Sequence, residues 1–304
     1  MRVLITGGSG LIGRNLAVCL MEHGHEVIVL SRQPEKAFGM PASAVVERWD
    51  GRTFTGWGRH LEGTDAVVNL AGENIAEGRW TSDRKRRIRE SRLNAGRSMV
   101  EAIEAAKRKP RVLVQASGVG YYGDCGDETL TENSGAGKDF LAQLAVEWEA
   151  GTAAVETLGV RRVVIRTGVV LSSDGGFLPL MVLPFRFFIG GRMGNGKQWL
   201  PWIHIADEVD SIRFLIERED ASGVFNLTAP NPVTNTDFSR ILGRQLRRPS
   251  LMPLPAFVLR MVFGEMADVL LFSERAIPQR LADSGYVFRF PDAPSGLRDL
   301  LARH

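Results

Sequence analysis

The stretch RVLITGGSGLIG, residues 2–13, decides the start of the fold. A short apolar run typical of a buried strand leads into four closely spaced glycines, and a helical pattern follows. Glycines there permit a tight turn, and the amides at the helix N-terminus attract negative charge. The stretch therefore predicts a dinucleotide pyrophosphate site, formed by Gly7, Ser9, Gly10, Leu11, Ile12 and Gly13.

The alternation of strand and helix continues through the first two thirds of the chain. Apolar runs lie at 26–30, 66–72, 111–117 and 161–171, with helical patterns at about 12–25, 83–108 and 138–158. Nearly continuous apolar strands are typical of a parallel sheet covered on both faces. We predict an α/β fold with a Rossmann-type doubly wound parallel sheet.

Glycine and proline become frequent after Leu171, and the strand and helix rhythm is lost. This change predicts a smaller, irregular domain built from residues 172–203 and 231–304. The Rossmann domain would then contain residues 1–171 and about 204–230. We expect the second domain to resemble a substrate-binding unit.

The composition limits the function classes. The 304 residues carry a net charge of +3, with 44% hydrophobic and 24% charged residues, as in ordinary globular proteins. No apolar run is long enough to span a bilayer, so we expect a cytoplasmic protein without a membrane partner. Cys19 and Cys125 lie far apart, and the chain has no metal-ligand spacing, so we predict no metal.

The second predicted strand ends in Ser31-Arg32, where a carboxylate would bind the free ribose 2′-hydroxyl of NAD(H). A guanidinium instead favours a 2′-phosphate, because it forms charge-assisted hydrogen bonds with phosphate oxygens. We therefore predict NADP(H) as the cofactor, bound by Ser31 and Arg32. The alternative is a surface arginine at a strand end.

Six basic residues lie between positions 84 and 92. Without interleaved aromatic residues they do not indicate a nucleic-acid site, and we expect no nucleic-acid partner. Arg92 differs from the rest because it falls on the apolar stripe of the predicted helix. A buried guanidinium there needs an anion, which is either a cofactor phosphate or a structural carboxylate.

Several motifs together resemble the extended short-chain dehydrogenase/reductase family: TGGSGLIG (6–13), NLAG (69–72), QASGVGYYG (115–123), RTGVVL (166–171) and WIHIADEV (202–209). NLAGENIAEGRW (69–80) and AIPQRLADSGYVFRF (276–290) are similar to its atypical "epimerase family" branch, which carries a C-terminal domain of unknown function. That similarity covers essentially the whole chain. It implies NADP(H), with further contacts from Leu70, Ala71, Gly72, Glu73, Arg92 and the Val169-Val170 turn.

The resemblance also implies where catalysis should occur. Active members of the larger family place a Ser or Thr beside a Tyr-x-x-x-Lys pair. Ser117 matches the serine, but Phe140 and Leu144 stand in for the tyrosine and lysine, and neither can move a proton. Tyr121 is a replacement candidate, with a packing role as the alternative. Glu73 is either an acid/base group or a contact to ribose or loop.

The loop at 190–202 lies where the family encloses its substrate. The candidate substrate contacts are Lys197, Gln198, Trp199, Trp202 and His204, with an inter-domain hinge as the alternative for the loop and a backbone contact for the histidine. Two functions remain open. One is a reductase or epimerase acting on a nucleotide-sugar-like or carbonyl substrate, and the other is a non-catalytic NADP(H)-binding sensor that meets a protein partner. The sequence leaves the oligomeric state open.

Overall fold

A parallel sheet organises the fold in the computed structural model, which describes residues 1–37, 39–41 and 43–302. Within them seven strands form this sheet: β1 Arg2–Thr6, β2 Glu26–Ser31, β3 Val45–Arg48, β4 Ala66–Asn69, β5 Val112–Gly118, β6 Arg161–Thr167 and β7 Gly223–Leu227. Their order is β3-β2-β1-β4-β5-β6-β7, and every neighbouring pair is parallel. The predicted doubly wound Rossmann-type sheet is confirmed.

The helices of the described residues cover the sheet and extend beyond it. They are α1 Leu11–Glu22, α2 Ser82–Ala105, α3 Phe140–Ala150, α4 Phe177–Arg186, α5 Ile205–Glu217, α6 Asn235–Leu246, α7 Ala256–Phe263, α8 Asp268–Leu271, α9 Gln279–Asp283 and α10 Ala293–Ala302. Helix α1 packs against α5, and α2 packs against α3. Helices α1 and α5 contribute buried side chains to one cluster and α2 to another, so these helices lie on opposite faces of the sheet.

Strand β1 shows why the strands are apolar throughout. Val3 and Ile5 are buried in the same cluster as Leu16 of α1, whereas Leu4 is buried in a second cluster with Met99 of α2. Successive side chains of a strand point to opposite faces, and here helices cover both. Because both faces are buried, no position of the strand is left for a solvated polar residue.

Short strands connect the C-terminal segments with the sheet domain. Val169–Ser172 pairs with Trp202–His204 and with Gly175–Gly176, Trp199–Leu200 pairs with Val233–Thr234, and Thr129–Leu130 pairs with Arg275–Ala276. The main hydrophobic cluster runs from the sheet into α6 and α10 without interruption. The division into two domains at 171–172, 203–204 and 230–231 therefore stays a prediction.

Two features are absent from the described residues. In that part of the chain no helix combines the length and the apolar character needed to cross a bilayer. Nor do its histidine, cysteine and acidic side chains form a group of three suited to a metal ion.

Candidate functional site

The glycine turn between β1 and α1 closes tightly around its own backbone. Gly7 has φ +67°, and a Cβ there would lie 2.7 Å from the carbonyl oxygen of Leu70. A Cβ on Gly8 would lie 2.5 Å from Cγ1 of Val29, and one on Gly13 would lie 2.5 Å from Cα of Gly8. No side chain fits at these positions, so the turn brings bare backbone to the carboxyl edge of the sheet.

Helix α1 begins immediately after this turn and leaves its first amides open. Its N-cap is Gly10, and no side chain caps the helix. Ser9 and Gly10 are exposed. The unpaired amides and the helix dipole together favour an anion at this point. The first turn thus fits the pyrophosphate that the sequence predicts there.

Arg32 lies directly after the buried end of β2. The Ser31 hydroxyl accepts a hydrogen bond from the amide of Gln33 at 3.2 Å, which turns the chain outward. Arg32 is exposed beside Gly51, and within the described residues its guanidinium has neither a hydrogen bond nor an ion pair. A cation without a partner at this edge fits the 2′-phosphate interpretation.

Arg92 of α2 lies beside Gly72, just after β4, and lines a cavity there. Its Nη1 donates to the carbonyl oxygens of Glu73 at 3.0 Å and Ile88 at 3.1 Å, and its guanidinium packs over the ring of Trp148. Burial lowers the pKa of Arg92 to about 10. No carboxylate of a described residue is hydrogen-bonded to it, so the cofactor phosphate is the alternative that fits. A Cβ on Gly72 would lie 3.0 Å from the Arg92 Cζ, which explains that glycine.

Glu73 turns away from the cleft. Its carboxylate forms an ion pair with Arg84 on α2, and its amide donates to the Ser91 hydroxyl at 3.0 Å. The structure supports the interpretation of Glu73 as a contact within the loop. The acid/base role expected as its alternative is not supported, because the carboxylate does not line the cavity.

A cavity of about 440 Å³ extends from the glycine turn across the ends of β5 and β6. Ile12, Leu70 and Val170 border its cofactor end. Most of its lining is apolar. Apart from the two tryptophans, the exceptions with polar or charged side chains are Arg92, Ser117, Tyr121, Asp139, Thr167, Gln198, Asn235 and Glu274.

Ser117 lies at the end of β5 on the cavity wall, but its hydroxyl is already bound. Its Oγ donates to Oε1 of Glu149 on α3 at 2.7 Å. The same carboxylate accepts two hydrogen bonds from Arg166 of β6, at 2.8 and 2.9 Å. The serine is therefore part of a buried ion-pair network, and its proton is not directed at the cavity.

The two adjacent tyrosines have different surroundings. Tyr122 is buried, donates to Oδ1 of Asn226 at 2.7 Å and accepts from Nη1 of Arg166 at 3.1 Å. Tyr121 lines the cavity, and the Arg166 guanidinium lies 3.3 Å from the centre of its ring. Because Tyr121 lines the cavity and Tyr122 does not, Tyr121 is the tyrosine that is available to a bound molecule.

Helix α3 contains Phe140 and Leu144, the positions that stand in for the Tyr-x-x-x-Lys pair. Phe140 packs edge-to-face on Trp80 with ring centres 5.3 Å apart, and it does not line the cavity. The Asp139 side chain caps the helix, which then turns Leu141, Leu144, Ala145 and Trp148 toward the cavity. Phe140 therefore does not share the cavity face with Leu144, and the register that pairs these two positions with the tyrosine and lysine stays a prediction. All four lining residues lack a group that exchanges protons near neutral pH.

The predicted substrate contacts divide into two groups. Gln198 and Trp199 line the cavity, and Nε2 of Gln198 donates to the carbonyl oxygens of Met193 and Leu270. Lys197 is exposed and does not line it. Trp202 and His204 are wrong as substrate contacts, because both are buried outside the cavity.

His204 has a structural role instead. Its Nδ1 accepts from the Ala206 amide at 3.0 Å and caps α5, while its ring stacks on Phe290. Its Nε2 lies 3.3 Å from Oδ2 of Asp299. The backbone contact expected for the histidine is confirmed. Nearby, the Asp207 carboxylate accepts hydrogen bonds from the Arg289 and Phe290 amides.

Glu274 also lines the cavity, and no motif in the sequence indicates it. It lines the cavity from the C-terminal segment, next to Ser273, whose amide donates to Oδ1 of Asp124 at 3.0 Å. Burial, reinforced by the nearby carboxylates of Asp139 and Asp124, raises the pKa of Glu274 to about 8. No local spacing predicts this, because the carboxylates of Asp139 and Asp124 lie more than a hundred positions away from Glu274 in sequence.

Known families match this chain over almost its whole length. The profile of the NAD dependent epimerase/dehydratase family matches residues 3–228. A domain of unknown function (DUF1731) matches residues 254–300. The similarity to that branch of proteins, expected from the motifs, is confirmed.

Individual relatives agree with the profiles. Epimerase family protein YfhF of Bacillus subtilis is 38% identical over 99% of this chain and 98% of its own length. The crystal structure of human epimerase family protein SDR39U1 (isoform 2) with NADPH superposes with a TM-score of 0.90 at 34% identity, covering 100% of both chains. A nucleoside-diphosphate sugar epimerase structure from Corynebacterium glutamicum gives a TM-score of 0.80 at 35% identity, covering 100% of this chain and 58% of that one.

Proposed function

We propose that this chain, which belongs to the NAD dependent epimerase/dehydratase family, binds NADPH and uses it to reduce a carbonyl group in the cavity beside Tyr121. The observation that carries the proposal is the continuity of one cavity. The same space is bordered by Ile12 and Leu70 next to the glycine turn, by Tyr121, and by Trp199 from the C-terminal part.

The residues of the cleft fit NADPH. The bare glycine turn and the open amides of α1 would hold the pyrophosphate, and Arg32 would bind the 2′-phosphate. Arg92 would meet the anion from the α2 side. The human relative named with NADPH supports this choice of cofactor. When bound, NADPH supplies a hydride.

The lining of the cavity argues for a largely apolar carbonyl substrate rather than a nucleotide sugar. Arg92 is the only lysine or arginine among the lining residues that the structure describes, and its place is at the cofactor. A second pyrophosphate would need further cations to offset its charge. Leu141, Leu144 and Trp148 instead present an apolar wall, which favours hydrocarbon next to the carbonyl.

Tyr121 is the residue we assign to proton donation. As hydride adds to the carbonyl carbon, the oxygen gains negative charge and must receive a proton. Ser117 donates its proton to Glu149, and the α3 face offers only apolar groups. Glu274 also lines the cavity, but from the C-terminal segment, so we assign the step to the Tyr121 hydroxyl, on a ring that Arg166 holds in place.

Purified protein tests this function directly. The consumption of NADPH would be followed by absorbance with a panel of aliphatic and aromatic aldehydes and ketones, beside a panel of UDP-sugars. We expect turnover with members of the carbonyl panel and none with the UDP-sugars. Turnover of UDP-sugars alone would contradict the proposed substrate class.

The second candidate function is a non-catalytic NADPH-binding sensor. The observation that favours it is the apolar face of α3, where neither Leu141 nor Ala145 supports proton transfer. Tight NADPH binding without turnover of any carbonyl compound would select this candidate. Calorimetric titration of the same preparation with NADPH distinguishes a folded sensor, which binds NADPH, from a protein that has lost its fold and does not.

A further inference from the structure

Two segments far from the cofactor turn expose apolar side chains. Phe187, Phe188 and Ile189 follow α4, whereas Leu251, Met252 and Phe257 lie between the end of α6 and the first turn of α7. Each of these six side chains is more than half exposed. Exposed apolar residues scattered singly are ordinary, but a concentration of this kind on one surface indicates an interaction site.

Backbone hydrogen bonds hold the two segments side by side. The Met252 amide donates to the Gly190 carbonyl at 3.2 Å, and the Leu254 amide donates to the Arg192 carbonyl at 2.8 Å. The Arg248 guanidinium also lies 4.5 Å from the ring centre of Phe188. The six side chains therefore belong to one surface, which we call the docking face.

The charge around the docking face has one sign. Residues 175–206 and 238–264 contain no aspartate or glutamate, but they contain eight exposed cations: Arg186, Arg192, Lys197, Arg240, Arg244, Arg247, Arg248 and Arg260. Arg240 and Arg260 approach acidic residues just outside these ranges, Asp237 and Asp268. Since the whole chain has a net charge of only +3, this concentration favours an anionic partner.

We propose that the docking face binds the surface of an anionic lipid bilayer. Its phenylalanine, leucine and methionine tips would enter the boundary between headgroups and acyl chains, while the arginines bind lipid phosphates. The hydrocarbon of a bilayer offers no hydrogen bonds to backbone N–H and C=O groups. A segment that enters it therefore needs these groups hydrogen-bonded within the protein. The hydrogen bonds between the two segments meet that requirement in part.

Charge and shape argue against the other occupants. A second copy of the chain, docked face to face, would place these cations opposite one another, and within the described residues two of the eight, Arg240 and Arg260, form an ion pair. Protein partners are commonly anchored by residues that fill pockets. Here the apolar side chains project from the surface, which suits a fluid partner that moulds around them.

The expectation of no membrane partner rested on the missing spanning segment. A surface contact needs no such segment. The inference is also independent of the proposed reductase function, because neither NADPH nor the cavity takes part in it.

Sedimentation of the full chain with lipid vesicles provides the test. We expect binding to vesicles of phosphatidylcholine and phosphatidylglycerol in equal parts, little binding to phosphatidylcholine alone, and release as salt rises. Each arginine near the surface should strengthen partitioning by about fivefold, the equivalent of ~1 kcal/mol. The combined variant Arg186→Gln, Arg244→Gln and Arg248→Gln should then bind on the order of a hundredfold more weakly.

Matched controls separate the docking face from bulk charge and bulk hydrophobicity. Arg97→Gln, Arg108→Gln and Arg111→Gln remove the same charge from exposed positions in and after α2, and should leave binding nearly unchanged. Phe187→Ser and Phe257→Ser should each weaken binding severalfold. Val287→Ser, at an exposed apolar residue elsewhere, should not.

Three outcomes would overturn the proposal. One is no binding to the anionic vesicles by protein whose circular dichroism spectrum is native. Another is equal weakening by the docking-face triple and the control triple. The third is a dimer in sedimentation velocity that Phe187→Ser or Phe257→Ser dissociates, which would assign the face to a second copy.

Discussion

Arg166 and Glu149 form a two-point ion pair beneath the cavity wall, with Nε to Oε1 at 2.8 Å and Nη2 to Oε2 at 2.9 Å. Both side chains are nearly buried. Oε1 also accepts the Ser117 hydroxyl, so the pair fixes the serine at the end of β5. Arg166 in turn packs on the Tyr121 ring. One ion pair thus positions both residues that the sequence indicates for catalysis.

Loss of one partner should be costly, because the other charge stays buried. We expect Glu149→Ala to lower the free energy of unfolding by about 3–5 kcal/mol, measured by urea denaturation. Glu147→Ala serves as the control. Glu147 lies on the same helix as Glu149, and its ion pair with Arg89 of α2 is exposed. Its loss should cost less than about 1 kcal/mol. Equal losses would contradict the importance assigned to the buried pair.

Arg32→Ala tests the choice between the two dinucleotides. It removes a guanidinium that no described residue binds, so the fold should stay intact. We expect NADPH affinity to fall by roughly tenfold or more, as for loss of a charge-assisted hydrogen bond, with NADH affinity nearly unchanged. Calorimetric titration of both dinucleotides measures the two effects, and Arg97→Ala is the control. Equal losses for NADPH and NADH would refute the 2′-phosphate contact.

Tyr121→Phe tests the proton donor. The phenyl ring keeps the contact with Arg166, so the cavity should retain its shape and its affinity for NADPH. Without the hydroxyl we expect kcat for carbonyl reduction to fall by about 10²–10⁴-fold. Tyr122→Phe is the internal control: it loses a buried hydroxyl that bonds Asn226, and should reduce stability rather than kcat. An unchanged kcat in Tyr121→Phe would assign proton transfer elsewhere.

Glu208 should make stability depend on pH. It is fully buried, and burial raises its pKa from 4.5 to about 8, although Thr167 donates to it at 2.8 Å. Between these values the folded state keeps the proton while the unfolded state releases it. Stability should therefore fall as pH rises through this window, by up to ~1.4 kcal/mol per pH unit from this group.

Glu208→Gln keeps the acceptor for Thr167 and removes the titration. Urea denaturation across the window should show a smaller decline for the variant, which should exceed the parent in stability toward pH 8. Other carboxyls with a raised pKa, such as Glu274, act equally in both proteins. Parallel pH profiles would show that Glu208 does not titrate in this window.

Gly7→Ala tests the closeness of the opening turn. Gly7 and Gly24 both have positive φ, so alanine strains the backbone at each. A Cβ at Gly7 also meets the Leu70 carbonyl at 2.7 Å, whereas one at Gly24 meets nothing within 4 Å. We expect Gly24→Ala to cost about 1 kcal/mol or a little more, and Gly7→Ala clearly more, with weaker NADPH binding. Equal stabilities of the Gly7→Ala and Gly24→Ala variants would mean that the turn shifts to accommodate the added methyl group.

Local pattern predicted much of the sheet and the cofactor turn. Strands β1, β2, β4, β5 and β6 lie within or close to the apolar runs, and helices α1 to α3 fall within the periodic segments. Strand β3 was missed, because its four residues are only half-buried or exposed and leave no continuous apolar run. Segments 172–203 and 231–304 were predicted to be irregular because glycines and prolines are frequent there, although α6 is as long as α1.

The site was predicted less completely than the fold. Arg92 and Ser117 were placed at the cleft correctly, because helical spacing and a strand end determine their direction. Phe140 does not face the cavity, since a helix face is set by its cap at Asp139 and by what the helix packs against. Trp202 and His204 were taken as cavity residues, but contacts with the C-terminal segment bury them.

By itself, the sequence predicted the parallel sheet and the bare glycine turn, and it shows the lack of a Tyr-x-x-x-Lys pair. Each of these was recognised from a pattern of residues near one another in the chain. Only the tertiary structure decided that Ser117 is bound to Glu149, that Tyr121 rather than Tyr122 faces the cavity, and that Glu274 reaches it. Those outcomes depend on contacts between residues 32 to more than 100 positions apart. Spacing along a chain carries no record of such contacts, since packing alone selects which distant side chains meet.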